Sequence, residues 1–273
     1  MKKSSVPELR AHFGLSASPF TREIPTSERW VHPAFEQTLS ELLSSVEQRF
    51  SAVLIAPAGT GKTLLLRTLL STLPQARYRL HQVHVTSLSK RDMYREIAAA
   101  LGIEAAGTYP GLVRKLQDHY RQSSEQDGLR PVLLIDEAQD MRPDVLATLR
   151  ILTNFDMDSR LLLSLVLCGD SRLRPLLELP ALEPVRQRIA HFATLRPLSR
   201  QESAQYIEHR LAISGGDSKL FDEQGLDALY EITRGNLRAL NHLCRKAMEL
   251  AMRDGLKHVG PSLVIAARQS LLL

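Results

Sequence analysis

Short apolar runs alternate with helix-like segments along the first two thirds of the chain. We predict strands at Ala52–Ala56, Arg79–Thr86, Pro131–Ile135, Leu161–Cys168 and His191–Leu195. Continuous apolar runs of this length are typical of strands that are buried on both faces of a parallel sheet. The segments between them repeat apolar residues at helical spacing. The alternation predicts an α/β fold with a five-stranded, mostly parallel sheet that has helices on both faces.

The helical pattern divides the chain into three segments. Between the strands we predict helices at Pro33–Arg49, from the turn after the first strand to Leu73, and at Ser89–Leu101, Pro110–Ser123 and Pro143–Phe155. After Pro197 no strand pattern remains, and glycines separate helices at about 200–213, 222–232, 236–254 and 261–271. Residues 1–32 have only scattered apolar positions. We therefore predict an irregular N-terminal arm (1–32), an α/β nucleotide-binding domain (33–197) and an all-helical lid (198–273).

The turn after the first strand has the composition of a phosphate-binding loop. Gly59 and Gly61 allow the backbone to approach a ligand, Lys62 can reach the β- and γ-phosphates, and the Thr63 hydroxyl can bind Mg²⁺. The following helix presents its first N–H groups and its positive dipole end to an anion. The residues predicted to hold the nucleotide are Pro57, Ala58, Gly59, Thr60, Gly61, Lys62, Thr63 and Leu64.

One position departs from the usual phosphate-loop pattern. The pattern G-x-x-x-x-G-K-[ST] calls for glycine at residue 56, and this chain has Ala56. A glycine-rich strand-to-helix turn with a chance lysine is the alternative interpretation. We expect the departure to be tolerated, because Pro57 and Ala58 separate residue 56 from the phosphates.

Two acids at the end of an apolar run complete a hydrolytic pattern. Asp136 and Glu137 follow Val132–Ile135, and ligands of parallel sheets bind at the carboxyl ends of the strands. Asp136 can hold the Mg²⁺ shell, and Glu137 can orient and polarise the attacking water. Loop and acid strand together predict an ATPase with ATP and Mg²⁺ as cofactors.

Composition sets limits on partners and location. The chain has 273 residues, a formal charge of +5 and a pI of about 9.4, which is compatible with nucleic acid as a partner and also with ordinary solubility. Cys168 and Cys244 have no metal-type neighbours, so we expect buried free thiols. No apolar run is long enough to span a membrane, and no signal peptide follows Lys2-Lys3. We expect a cytoplasmic protein without membrane contact.

At this point the chain resembles the AAA+ ATPases, and within them the group of the general-secretion protein ExeA and the transposition ATPases TniB, TnsC and IstB. The resemblance covers nearly the whole chain. The segments that carry it are Phe13-Gly-Leu15 with Pro19-Phe20, Ala58–Thr63, Leu134–Gln139, Leu149–Asn154, Gln187–Ile189 and Gly235–Asn241.

The resemblance implies roles for three polar positions. Arg188 is similar to the finger arginine that reaches the γ-phosphate of a neighbouring subunit, and Arg186 is the alternative. Arg238 is similar to the lid arginine that senses nucleotide in its own subunit. Each could instead form a surface ion pair. Asp170 stands where related sequences often have Gln or Asn, so a sensor role is in doubt there, and it could pair with Arg172, Arg174 or a finger arginine.

The resemblance also implies partners. Transposition relatives assemble as rings or helical filaments of roughly six or more subunits per turn around duplex DNA. The corresponding DNA-facing region here offers Lys90, Arg91, Arg114 and Lys115, whose contacts to phosphates would be independent of sequence and sensitive to salt. Solvated helix faces are the alternative for each of these residues. No motif for base recognition is apparent.

The patterns and the resemblance together imply three candidate functions. The first is an ATP-hydrolysing, DNA-binding regulator of transposition that oligomerises on double-stranded target DNA and recruits or activates a transposase. The alternative is an ExeA-like secretion ATPase. Such proteins continue into a membrane segment and a cell-wall domain, whereas this sequence stops at Leu273, so we expect the transposition role. The third is a nucleotide-gated adaptor without hydrolysis, against which the set Lys62, Asp136 and Glu137 argues.

Overall fold

A single sheet of five parallel strands organises the α/β part of the protein. In this computed structural model, which describes residues 6–21, 24–84, 87–155 and 161–271, the strands are β1 (Ser51–Ile55), β2 (Tyr78–His84), β3 (Arg130–Asp136), β4 (Ser164–Gly169) and β5 (Ile189–Thr194). Their order is β2-β3-β4-β1-β5, and every neighbouring pair is parallel. The predicted five-stranded parallel sheet is therefore confirmed.

Helices account for most of the remaining described residues. They are α1 (Val6–Phe13), α2 (Pro33–Glu47), α3 (Lys62–Thr72), α4 (Lys90–Ala100), α5 (Tyr109–Glu125), α6 (Pro143–Leu146), α7 (Leu149–Thr153), α8 (Leu173–Leu177), α9 (Glu183–Arg186), α10 (Arg200–Ile213), α11 (Glu223–Thr233), α12 (Leu237–Arg253) and α13 (Pro261–Leu271). Single turns of 3₁₀ helix lie at Thr26–Glu28, Ala138–Asp140 and Pro180–Leu182.

The burial of the strands explains their sequence. Every residue of β1 and β4 is buried, and so is β3 after its first residue. A strand in the middle of a parallel sheet has helices or loops over both faces, so both sets of side chains must be apolar. β2 and β5 are the edge strands, and most of their residues are partly or fully exposed, which matches their more polar sequences.

One long predicted helix is broken in the structure. The prediction of a continuous helix over Pro143–Phe155 is wrong, because α6 ends at Leu146 and α7 begins at Leu149. Thr148 is the cause: its hydroxyl donates to the carbonyl of Val145 at 2.6 Å, and its own carbonyl accepts from the hydroxyl of Tyr94 at 2.8 Å. Such bonds compete with the helical backbone pattern.

The N-terminal arm is not irregular throughout, as the sequence led us to expect. Residues Val6–Phe13 form helix α1, which is followed by Gly14 with a left-handed φ of 66°. Leu9, Leu15 and Phe20 are buried. A helix of eight residues is too short to be stable alone, so its packing determines it more than its propensity does.

Other boundaries shift by a few residues. Leu161–Leu163 precede β4 and do not extend it. The second strand covers Tyr78–His84, and its predicted last residues, Val85 and Thr86, lie outside the described residues. Cys168 and Cys244 are buried thiols that form no disulfide with another described residue, as predicted. None of the helices among the described residues is both long and apolar enough to cross a lipid bilayer.

The chain forms two compact units. One contains Met1–His32, Ala58–Leu64 and Arg196–Leu273, and the other contains Pro33–Pro57 and Leu65–Leu195. The second unit has a mainly aliphatic core from the sheet and from α4 to α8, with Tyr94, Tyr120 and Phe155 as its largest buried side chains. The first unit has a separate core from α1 and α10 to α13. The phosphate loop thus clusters with the helical unit.

Candidate active site

Glycine conformations shape the phosphate loop. The loop follows β1, and its helix α3 begins at Lys62. Gly59 and Gly61 have φ angles of 82° and 101°, in the region that favours glycine. Thr60 is buried, Lys62 is half-buried and Thr63 is exposed. The first N–H groups of a helix have no acceptor within that helix, and for this reason a helix N-terminus such as that of α3 is suited to an anion.

Ala56 fits its position because it still belongs to the sheet. Its N–H donates to the carbonyl of Gly169 at 2.9 Å, and it is fully buried. Its φ is not left-handed, since Arg49, Glu137 and Arg234 are the non-glycine residues with positive φ among the described residues. A methyl group is therefore accommodated where the usual pattern has glycine.

The beginning of α12 holds the phosphate loop by its main chain. The side-chain amide of Asn236 donates to the carbonyl of Ala58 at 2.6 Å, and the N–H of Arg238 donates to the carbonyl of Gly59 at 3.1 Å. Asn236 is also the N-cap of α12, because its Oδ1 accepts from the N–H of Ala239 at 3.1 Å. One side chain thus caps a helix and fixes a loop.

Close packing explains the two glycines next to these bonds. A Cβ at Gly59 would lie 2.3 Å from Oδ1 of Asn236, and a Cβ at Gly235 would lie 1.8 Å from the carbonyl oxygen of Leu198. Gly235 has a left-handed φ of 75° and accepts a backbone hydrogen bond from Leu198 at 3.0 Å. The side chain of Arg238 is exposed beside this junction.

The acid pair lies at the carboxyl edge of the sheet, as predicted. Asp136 ends β3 and is 4% exposed, and its Oδ1 accepts from the N–H of Glu137 at 2.9 Å. His84, the last residue of β2, places Nδ1 3.6 Å from Oδ2 of Asp136. Glu137 has a φ of 55°, which is rare for a residue with a long side chain. Backbone strain of this kind is concentrated at functional sites.

Gln139 connects the acid pair to the neighbouring strand β4. Its Nε2 donates to Oε2 of Glu137 at 2.8 Å and to Oδ2 of Asp140 at 3.2 Å. Its Oε1 accepts from the N–H of Asp170 at 3.1 Å.

Asp170 is paired with Arg172, which was one of the alternatives that the sequence left open. The guanidinium approaches Oδ2 of Asp170 at 2.8 Å and Oδ1 of Asp140 at 3.2 Å. The hydrogen bond and charge of Asp170, followed by the charge of Asp140, raise the pKa of Arg172. The acid at this position is therefore balanced by a cation of the same strand end.

The two candidate finger arginines lie at the amino ends of the strands, whereas Asp136 lies at the carboxyl ends. Arg186 ends α9 and is exposed, and Arg188 immediately precedes β5. The Arg188 guanidinium donates to the carbonyl of Pro184 at 2.7 Å and borders a cavity of about 410 Å³. A six-residue strand is about 20 Å long, so Arg188 is too far from Asp136 of its own chain to share a ligand.

The basic residues proposed for DNA lie on α4 and α5 and differ in their partners. Lys90 is 3.5 Å from Oδ2 of Asp144, and Arg91 donates to the carbonyl of Gly107 at 3.2 Å. Arg114 and Lys115 are exposed, and among the described residues neither forms an ion pair or a side-chain hydrogen bond. The second pair is therefore the more available for phosphates.

Sequence reasoning missed two residues of this arrangement. Asn236 lies in the same sequence segment as Arg238, and its position before an apolar helix is a capping signal. The sequence pattern marks Gln139 only as part of the segment Leu134–Gln139. Its contacts depend on the spatial adjacency of β3 and β4, which no local pattern encodes.

Comparisons with known proteins identify a matching family model and a similar sequence. A family model described as "AAA domain" matches residues 45–177. The chain is 31% identical over 246 residues to General secretion pathway protein A of Aeromonas hydrophila, an alignment that covers 89% of this chain and 45% of that protein. The chain thus spans less than half the length of this relative.

Solved structures with low sequence identity share the fold. Cdc6p of Pyrobaculum aerophilum superposes with a TM-score of 0.72 at 19% identity, covering 93% of this chain and 70% of that one. The Aeropyrum pernix ORC1 protein, solved in complex with DNA, superposes with a TM-score of 0.66 at 20% identity, covering 91% and 68%. The family match thus shows an AAA domain at residues 45–177, and the solved structures show that the chain shares their fold.

Proposed function

We propose that the chain hydrolyses ATP with Lys62, Thr63, Asp136 and Glu137. The loop Pro57–Leu64 would hold the phosphates through its N–H groups, and the Lys62 ammonium would balance the charge of the β- and γ-phosphates. Glu137 would orient the attacking water and accept its proton. The observation that carries this proposal is the strained backbone of Glu137 at the end of a buried strand, with its carboxylate held by Gln139.

The donor set suits Mg²⁺. Among the described residues, no group of three or more His, Cys, Asp and Glu side chains could enclose a metal. Mg²⁺ does not need one, because it usually binds one or two protein oxygens, the phosphates and several waters. Asp136 and Thr63 would provide such oxygens. The ion would neutralise charge on the transferring phosphoryl group.

The position of Arg188 supports assembly between subunits. An arginine that cannot reach the acid edge of its own chain could reach the γ-phosphate of a neighbour and stabilise developing charge there. ATP would then bind two subunits together, and Arg238 would respond to the nucleotide from the lid. Arg186 is the alternative finger.

The more specific proposal is that this ATPase regulates transposition. ATP-bound subunits would oligomerise on double-stranded DNA, recruit or activate a transposase, and leave after hydrolysis. Exposed Arg114 and Lys115, the net charge of +5 and the fold shared with an ORC1 protein solved with DNA support the DNA step. Lys90 and Arg91 would contribute after exchanging their present partners for phosphates.

A secretion-associated ATPase is the second candidate. The 31% identity to General secretion pathway protein A over 89% of this chain favours it. Both candidates use the same ATPase chemistry, and they differ in whether ATP-bound subunits assemble on DNA.

Nucleotide binding and turnover test the common part. We expect Lys62→Ala to lose affinity for a fluorescent ATP analogue, and Glu137→Gln to bind it normally but turn ATP over at least about a hundredfold more slowly. Arg67→Ala, an exposed change on α3, is the control that should leave both intact. Unchanged affinity in Lys62→Ala would contradict the site.

Duplex binding separates the two candidates. Filter binding of Glu137→Gln with ATP should show DNA affinity that falls steeply with salt. Arg114→Glu with Lys115→Glu should weaken it, whereas the equally charged change of exposed Lys219 and Arg253 to glutamate should not. No ATP-dependent DNA binding even at low salt would contradict the transposition role and leave the secretion candidate.

A further inference from the structure

We propose that Gln139 is a positioning residue, which aims the carboxylate of Glu137 and ties it to the end of strand β4. This inference rests on the proposed role of Glu137 in hydrolysis. It assigns to Gln139 a part in turnover and none in nucleotide binding.

The orientation of the Gln139 amide is determined by its neighbours. The backbone N–H of Asp170 is a donor, so the atom that faces it at 3.1 Å must be the amide oxygen. The NH₂ group therefore points to the other side, where Oε2 of Glu137 lies at 2.8 Å and Oδ2 of Asp140 at 3.2 Å. A flipped amide would place its oxygen against two carboxylates and its NH₂ against an N–H donor.

Packing holds this amide in place. A Cβ at Gly169 would lie 2.5 Å from Oε1 of Gln139 and about 3 Å from the side chain of Leu173. The amide thus occupies the space that a side chain at residue 169 would fill. The φ of Gly169 is not left-handed, so its backbone angle does not require glycine. The close approach of the Gln139 amide is the reason for glycine at this position.

The contacts of Gln139 close into a ring. Asp140 contacts Arg172 at 3.2 Å, Arg172 contacts Asp170 at 2.8 Å, and the N–H of Asp170 returns to Gln139. Networks of this kind are cooperative, and each member limits the others. Glu137 is attached to the ring through the Gln139 amide. A shift at the end of β4 therefore moves the carboxylate of Glu137, and a shift of Glu137 is resisted by β4.

A glutamine elsewhere in the same unit provides a matched control. The side chain of Gln117 also donates one hydrogen bond of 2.8 Å, in this case to the carbonyl of Ile151. Gln117→Leu and Gln139→Leu remove the same chemical group. Only Gln139→Leu removes a hydrogen bond to Glu137.

Steady-state ATPase kinetics test the inference. We expect Gln139→Leu to lower kcat by about tenfold or more while the affinity for a fluorescent ATP analogue stays within about twofold. Gln139→Asn, which keeps an amide on a shorter stem, should recover part of the loss, and Gln117→Leu should keep the wild-type kcat. A melting temperature for each variant confirms that it is folded.

A double-mutant cycle shows whether Gln139 acts through Glu137. If it does, Gln139→Leu adds no further loss in a Glu137→Gln background under single-turnover conditions. A full additional loss there, a wild-type kcat in folded Gln139→Leu, or a loss confined to ATP affinity would each overturn the inference. Failure of the proposed function looks different, because then Glu137→Gln itself would turn ATP over at the wild-type rate.

Discussion

The phosphate loop and the acid edge of the sheet are held in place by opposite means. The loop is shaped by the absence of side chains at Gly59 and Gly61 and is fixed by bonds to its own carbonyls. The acid edge is shaped by side chains, with Gln139 between Glu137 and β4. The loop is therefore sensitive to atoms that are added, and the acid edge is sensitive to atoms that are removed or displaced.

Among the substitutions that test this contrast between the loop and the acid edge, Gly59→Ala should have the largest effect. The substitution combines a left-handed φ of 82° with a Cβ 2.3 Å from Asn236, so we expect ATP affinity to fall by about a hundredfold. Gly102→Ala is the control, because its φ is 71° and no atom lies within 4 Å of the added Cβ. It should cost about 1 kcal/mol of stability and leave ATP affinity unchanged. Calorimetric titration measures the ATP affinity of the two variants. Equal affinities would refute the expected difference between Gly59→Ala and Gly102→Ala.

Gly169→Ala should disturb the acid edge by displacing Gln139. We expect kcat to fall by about tenfold with little change in ATP affinity. Gly111→Ala, whose added Cβ meets only Thr108 Oγ1 at 3.4 Å within α5, should be neutral or slightly stabilising. In a Gln139→Ala background the added methyl has room, so Gly169→Ala should then have little further effect on turnover. Additive losses would argue for a separate cause, such as contact with Leu173.

Two substitutions of Asn236 distinguish its role as the N-cap of α12 from its hydrogen bond to the phosphate loop. Asn236→Ser keeps an N-cap oxygen but cannot reach the carbonyl of Ala58, so we expect ATP affinity to fall about threefold at an unchanged melting temperature. Asn236→Ala loses both bonds and should also lose about 1 kcal/mol of stability. Affinity and thermal unfolding should be measured on the same samples. An unaltered affinity in both variants would show that the loop does not depend on this contact.

The smallest effect should be a change of stability without a change of turnover. A hydrogen bond from Arg196, with further ones from the Ser199 N–H and His32, holds the pKa of Glu202 well below its usual range. A lowered folded pKa gives stability above the unfolded pKa of about 4.3, and that stability is lost as the pH falls.

Glu202→Gln tests this contribution. It should lower the free energy of unfolding by about 1 kcal/mol at pH 7, and the difference should shrink below about pH 4. Glu208→Gln, an exposed change on the same helix α10, should have no such effect. Thermal unfolding across pH measures it, and a difference that does not depend on pH would contradict the assignment to the carboxylate charge.

Features that depend on local sequence were predictable. The buried strands β1, β3 and β4 are continuous apolar runs in the sequence, so the sheet could be predicted. The helix break at Thr148 was not, since it depends on the distant hydroxyl of Tyr94. The candidate site residues were found because phosphate and water chemistry demand particular residue types, and their roles remain predictions.

The residues that organise the site were harder to find. Gln139 and Asn236 act through contacts to β4 and to the loop that exist only after folding. The same holds for Gly169, whose reason is the neighbouring amide and not its own backbone angle. Sequence patterns identify groups that carry chemistry more readily than groups that orient them.

The placement of Arg188 and Asp136 at opposite edges of one parallel sheet has a consequence for growth. If each nucleotide is completed by the arginine of the next subunit, an open assembly has two unlike ends. One end offers a nucleotide that lacks a finger, and the other offers a finger that lacks a nucleotide. Subunits would then add and leave at different rates at the two ends, and a partner that recognises one of them could report the direction in which the assembly lies.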